Sequence, residues 1–92
     1  MAKVKVVTFA RLKQIIGKKQ FSCEADFVKE LLDKLIKEYG DEFEKEFFNN
    51  MGEINKRYRI LVNARNINLL DGIDTKLQED DMVVLMPAIA GG

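Results

Sequence analysis

Few residues in this chain can do chemistry, and that scarcity narrows what it does. The 92 residues contain no histidine, which removes a Ser-His-Asp triad, an imidazole base and a nitrogen ligand for zinc. Cys23 is the single cysteine, so neither an intrachain disulfide nor a Cys-x-x-Cys metal site exists. It lies in the strand-like run Phe21-Ser22-Cys23-Glu24, where a free thiol more often packs as a small apolar group than acts as a nucleophile. What remains is the end of the sequence, Ala88-Ile89-Ala90-Gly91-Gly92. Glycine has no Cβ, so a Gly-Gly end can pass through a narrow tunnel and lie against a partner's backbone. Five extended residues reach about 16–18 Å, enough to carry a carboxylate into a second protein's active site. The plainer reading of the same residues is an end that frays and does nothing.

Composition limits the partners. Lys plus Arg total 15, Asp plus Glu total 15, and the formal net charge is zero. Nucleic-acid and anionic-membrane binders carry a basic excess that is missing here. Charged residues make up 33% of the chain, and no apolar run approaches the roughly 20 residues that span a bilayer. Met1-Ala2-Lys3-Val4-Lys5 alternates charge with Val rather than opening an apolar signal segment, so a cytoplasmic protein is expected. A chain of this length makes one domain, 1–92, with 88–92 read as a flexible reactive tail.

The elements that must position that tail follow from periodicity. Residues 3–9 alternate as a strand, with Val4 and Val6 inward and Lys3 and Lys5 outward. Residues 10–16 form a short helical turn closed by Gly17, and 18–24 form a second strand antiparallel to the first. Val28, Leu31, Leu32, Leu35, Ile36 and Tyr39 fall on one helical stripe from Phe27 to Tyr39. Asp26 is placed to cap that helix and Gly40 to end it. A shorter helix follows with Phe43, Phe47 and Phe48 as core, then a polar loop over 52–58. Residues 59–62 are a strand, 67–69 a brief further strand, and 82–86 the last, stopped by Pro87. One main helix across a small mixed sheet, with first and last strands close, is an α+β arrangement.

That alternation leaves an anomaly. Val7 and Phe9 fall on the same face as the lysines of the first strand. If Val83 and Leu85 point at the helix, then Val84 and Met86 point away from it, and Leu61 joins them. Contiguous exposed apolar side chains mark a docking surface, which Lys13 and Arg65 are placed to steer toward an acidic partner. The competing reading is that residues 10–16 fold over Phe9 and hide it.

Five stretches carry a family likeness. Phe9-Ala10-Arg11-Leu12, Leu61-Val62-Asn63-Ala64-Arg65-Asn66-Ile67, Leu70-Asp71-Gly72, Leu77-Gln78-Glu79-Asp80-Asp81-Met82-Val83 and Met86-Pro87-Ala88-Ile89-Ala90-Gly91-Gly92 resemble the MoaD family. Those proteins are the small subunit of molybdopterin synthase, kin of ThiS and of the archaeal ubiquitin-like modifiers. The likeness runs nearly end to end, with residues 41–58 as a variable insertion. Ala64 stands where that family usually has Gly, Asp80 takes a second Gly place, and Ala88 follows Pro87 where a second proline is common.

The resemblance implies a ubiquitin-like β-grasp fold and a sulfur carrier. A MoeB-like enzyme would adenylate Gly92 using ATP and Mg²⁺, and a persulfide donor would supply the sulfur of a Gly92 thiocarboxylate. Gly91, Ala90 and Ile89 would enter a MoaE-like large subunit with it. The other catalytic groups would belong to those partners, so the chain itself binds no cofactor and is not catalytic alone. The alternative within the resemblance is a modifier joined through Gly92 to lysines of target proteins. A ThiS-type role in thiazole synthesis and a plain interaction domain stand further back.

Overall fold

The computed structural model describes residues 1–88. Its elements are β1 (Lys3–Thr8), α1 (Ala10–Ile16), β2 (Gln20–Glu24), α2 (Val28–Phe47), β3 (Tyr58–Val62), β4 (Arg65–Asn66) and β5 (Met82–Pro87). Two 3-10 turns, Ile67–Leu69 and Gly72–Asp74, lie between β4 and β5.

The strands form one mixed sheet in the order β2-β1-β5-β3-β4. β1 and β5 run parallel and the other pairs are antiparallel. Alternation sends Val4, Val6, Ile60, Val62, Val83 and Leu85 inward, all buried, against Val28, Leu31, Leu32 and Leu35 of α2. Each such aliphatic side chain removed from water contributes about 1.5–3 kcal/mol. Among the described residues, no helix is long and apolar enough to cross a membrane.

Gly40 ends the first helical stripe as expected, by breaking α2 from within. Its φ of 71° and ψ of −153° fall in a region essentially reserved for glycine. Beyond the break, the second arm brings Phe43 and Phe47 into the core, with ring centroids 5.4 Å apart and nearly parallel. Phe47 also meets Phe48 edge-on at 5.5 Å and Tyr58 at 5.3 Å. The stretch read as a variable insertion is therefore anchored by an aromatic cluster.

Three expectations need correction. Asp26 does not cap α2: Phe27 holds the N-cap position without a side-chain bond. Asp26 Oδ1 accepts instead from the Ala2 N–H at 3.0 Å, tying the chain's start to the helix entry. Residues 67–69 are a 3-10 turn, because Asn66 Oδ1 accepts from the Asn68 N–H at 2.9 Å and curls the chain after two residues of pairing. Finally, Pro87 does not stop the ladder. β1 pairs with β5 only as far as Thr8↔Leu85, so the donor that Pro87 lacks would point where no strand remains. On its other side β5 continues: Pro87 lies opposite Tyr58, and the Ala88 N–H donates to Arg57 O at 2.7 Å.

Asn63 and Ala64 join β3 to β4 with φ values of 50° and 70°, the pair of positive angles of a type I′ hairpin. Asn63 tolerates this conformation, and its side chain bonds Asp81 and the Met82 N–H. Ala64 holds its positive φ with a Cβ in the way. Ala64→Gly is expected to raise the unfolding free energy by about 1 kcal/mol, read as a later urea midpoint with unchanged slope.

Candidate functional site

The register of the three central strands assembles an outer apolar row. Val7 lies opposite Val84, and Val84 lies opposite Leu61, so β1, β5 and β3 each place one half-buried side chain in a line. One rung toward the chain's end, Met86 sits beside Arg59; one rung the other way, Met82 sits beside Lys5 and is 42% exposed. Phe9 follows β1 at the N-cap position of α1. That helix buries Leu12 and Ile16 but leaves Phe9 38% exposed, with Lys19 Nζ 5.8 Å from its ring centre. The competing reading, that residues 10–16 hide Phe9, does not match this exposure. Lys13 is exposed in the last turn of α1, and Arg65 is exposed on β4.

Ile89, Ala90, Gly91 and Gly92, on which the carrier chemistry would fall, lie outside the described residues. The structure does define where that stretch begins. The Ala88 bond to Arg57 is the last sheet contact among the described residues, and four residues of the sequence follow it. Fully extended they span at most about 13–14 Å, one residue less than a tail counted from Ala88.

Side chains that the sequence did not single out surround this root. The Tyr58 hydroxyl donates to Glu46 Oε2, and Arg57 Nη2 lies 3.6 Å from the same oxygen. The Arg57 guanidinium stands 6.0 Å from the Tyr58 ring centre. Burial, and then the bond to the Glu46 carboxylate and its charge, push the Tyr58 phenol up to about 12. Tyr58 is therefore a neutral donor across the physiological range. Only the polar look of residues 52–58 was available in the sequence, and it does not reveal that they bind the end of a strand thirty positions on.

Cys23 sits half-buried on β2 opposite Val4. Burial pushes its thiol pKa up, against the lowering effect of Lys34, which disfavours the thiolate a nucleophile needs. Among the described residues no group of three or more His, Cys, Asp or Glu side chains is placed to hold a metal ion.

Comparison with known proteins gives a consistent set of likenesses. The model of the ThiS family matches residues 6–92. A candidate sulfur carrier protein of Archaeoglobus fulgidus is 30% identical over 76 residues, 83% of this chain and 85% of that protein. Small archaeal modifier protein 1 from Methanosarcina acetivorans superposes with a TM-score of 0.85 at 28% identity, covering 100% of this chain and 98% of that one. A candidate molybdopterin converting factor subunit 1 from Pyrococcus furiosus gives a TM-score of 0.78 at 26% identity, covering 97% and 100%. The ubiquitin-like β-grasp is thus the fold of the described residues.

Proposed function

The chain belongs to the ThiS family of sulfur carriers and ubiquitin-like small modifiers, and from that premise we propose that it is the sulfur-donating small subunit of a molybdopterin synthase. A carboxylate oxygen of Gly92 attacks the α-phosphate of ATP on a MoeB-like partner, with Mg²⁺ in attendance, and pyrophosphate leaves. A sulfide equivalent then attacks the acyl carbon, AMP leaves, and a thiocarboxylate remains. A MoaE-like subunit receives Ile89 to Gly92 and takes that sulfur into a pterin precursor. The partners supply the acid, base and metal chemistry; this chain supplies a carrier and a docking face.

One observation carries the reading. Val84 and Met86 of the outer apolar row lie on the central strand β5, and the root of the tail, Ala88, directly follows that strand. A partner that covers Val84 and Met86 therefore meets the residues that follow. The molybdopterin assignment is supported by the likeness to the Pyrococcus furiosus protein. The likeness to the archaeal modifier favours a second reading, isopeptide attachment of Gly92 to a target lysine. Both share the adenylate and differ in whether sulfur or an amine attacks it.

Intact-mass measurement after incubation with an activating enzyme, ATP and a sulfur donor separates them. A gain equal to one oxygen replaced by sulfur, localised to Gly92, supports the carrier. Conjugates to lysines without that gain support the modifier. Neither product, with a competent activating enzyme, overturns both. The docking face has its own test. Phe9→Glu or Met86→Glu is expected to weaken partner binding by about tenfold or more, with little change in melting temperature. If either variant unfolds instead, the side chain belongs to the core.

A further inference from the structure

Hydrogen bonds connect the end of α2 to the root of the tail. The Phe47 carbonyl, one of the orphan acceptors of a helix C-terminus, accepts from the Asn55 N–H at 2.8 Å. Asn55 in turn accepts twice: its carbonyl from the Tyr58 N–H at 2.9 Å, its side-chain Oδ1 from the Arg57 N–H at 3.1 Å. The Arg57 carbonyl then accepts from the Ala88 N–H at 2.7 Å. A second line runs through side chains, from Glu46 to the Tyr58 hydroxyl and the Arg57 guanidinium. The Tyr58 ring rests against Phe47 at 5.3 Å. An exposed ion pair alone is worth little, and the Arg57 side chain is 65% exposed. The weight falls on the Asn55 bonds and on the half-buried Tyr58–Glu46 contact.

We propose that residues 41–58 form a clamp that fixes the direction in which the tail leaves the sheet, with Asn55 and Glu46 as positioning residues. Its consequence for catalysis rests on the carrier reading above. Tyr58 is the last rung that β3 offers to β5, and Arg57, the residue before β3, holds Ala88; both are gripped by the second arm of α2 and its return loop. Without that grip the end of β3 frays, Ala88 loses its acceptor, and the tail swings from an earlier point. A reacting group displaced by about 1 Å loses about 10²-fold in rate, so the root's direction matters.

The test uses the full chain carrying Asn55→Ala, Tyr58→Phe or Asn55→Asp. Two quantities are measured: the exchange rate of the Ala88 amide, and kcat and KM for pyrophosphate release with ATP and the activating enzyme. In Asn55→Ala and Tyr58→Phe, Ala88 is expected to exchange about 5–10-fold faster while the Val83 and Leu85 amides keep their protection. With Val7, Val84 and Leu61 untouched, KM should hold and kcat should fall several-fold. Asn55→Asp keeps a side-chain acceptor for Arg57 and should restore both values. Unchanged Ala88 protection in both disruptive variants overturns the clamp. Faster exchange with an unchanged kcat, or a loss appearing in KM alone, overturns its positioning role. If the unaltered protein is never adenylated, the carrier reading fails instead, and the Ala88 exchange rate still decides whether the clamp exists.

Discussion

Deleting Gly92 is expected to cut adenylation by about 10²-fold or more while leaving the melting temperature where it was. The two halves of that result have separate causes. Among the described residues the buried core runs from Val4 to Leu85, and a glycine has no side chain to add to it. The chemistry, by contrast, is set by distance. Each extended residue contributes about 3.3–3.6 Å of reach, so losing one withdraws the carboxylate by several ångströms from the place where the activating enzyme must meet it. Adding a residue after Gly92 should be equally damaging, since it buries the old carboxylate in a peptide bond and puts a side chain into the tunnel. The readouts are pyrophosphate release and a thermal melt on the same samples. A shortened chain that still reacts at the native rate would disprove the role given to Gly92.

The largest stability loss is expected at Phe47, where Phe47→Ala should cost about 3–5 kcal/mol out of a total of about 5–15 kcal/mol. Phe47 is fully buried and touches three other rings, those of Phe43, Phe48 and Tyr58. Removing it leaves a cavity between the second arm of α2 and β3, which the surrounding rings can only partly fill. Its carbonyl also receives Asn55, so the loop that returns to β3 loses its seat. A urea titration gives the number directly. A loss below about 1 kcal/mol would mean that this segment packs too loosely to serve as an anchor.

How far the sequence reaches depends on how local the cause is. The α2 stripe was legible because Val28, Leu31, Leu32 and Leu35 repeat at helical spacing, and all four are buried. Gly40 was legible as a stop because only glycine holds its backbone angles without strain. The outer row was legible too: once Val4 and Val6 are inward, Val7 has to face the other way. Residues 67–69 misled because Ile-Asn-Leu alternates like a strand, whereas one side-chain bond from Asn66 decides the turn. Asp26 misled because its carboxylate found a partner 24 positions away rather than at the helix it precedes. The grip of Asn55 on the tail's root was beyond reach for the same reason. The Asn55 bonds to Arg57 and Tyr58 are local, but the link that carries them to the root, from the Ala88 N–H to Arg57 O, is a main-chain bond between distant segments and leaves no composition or period to read.

The order of the sheet also bears on synthesis. β5 is the last strand to be made, yet it stands in the middle, paired with β1 on one side and β3 on the other. Until it emerges, the first strand and the third have no partner between them, and the two halves of the sheet cannot be joined. Such long-range pairing forms slowly, and the sheet cannot close until β5 has been made. A chain cut short before Met82 therefore lacks both the strand that unites the sheet and the residues that follow it. Such fragments, with the two halves of the sheet unjoined, are open to proteolysis. The sheet thus closes only in a chain made at least as far as β5.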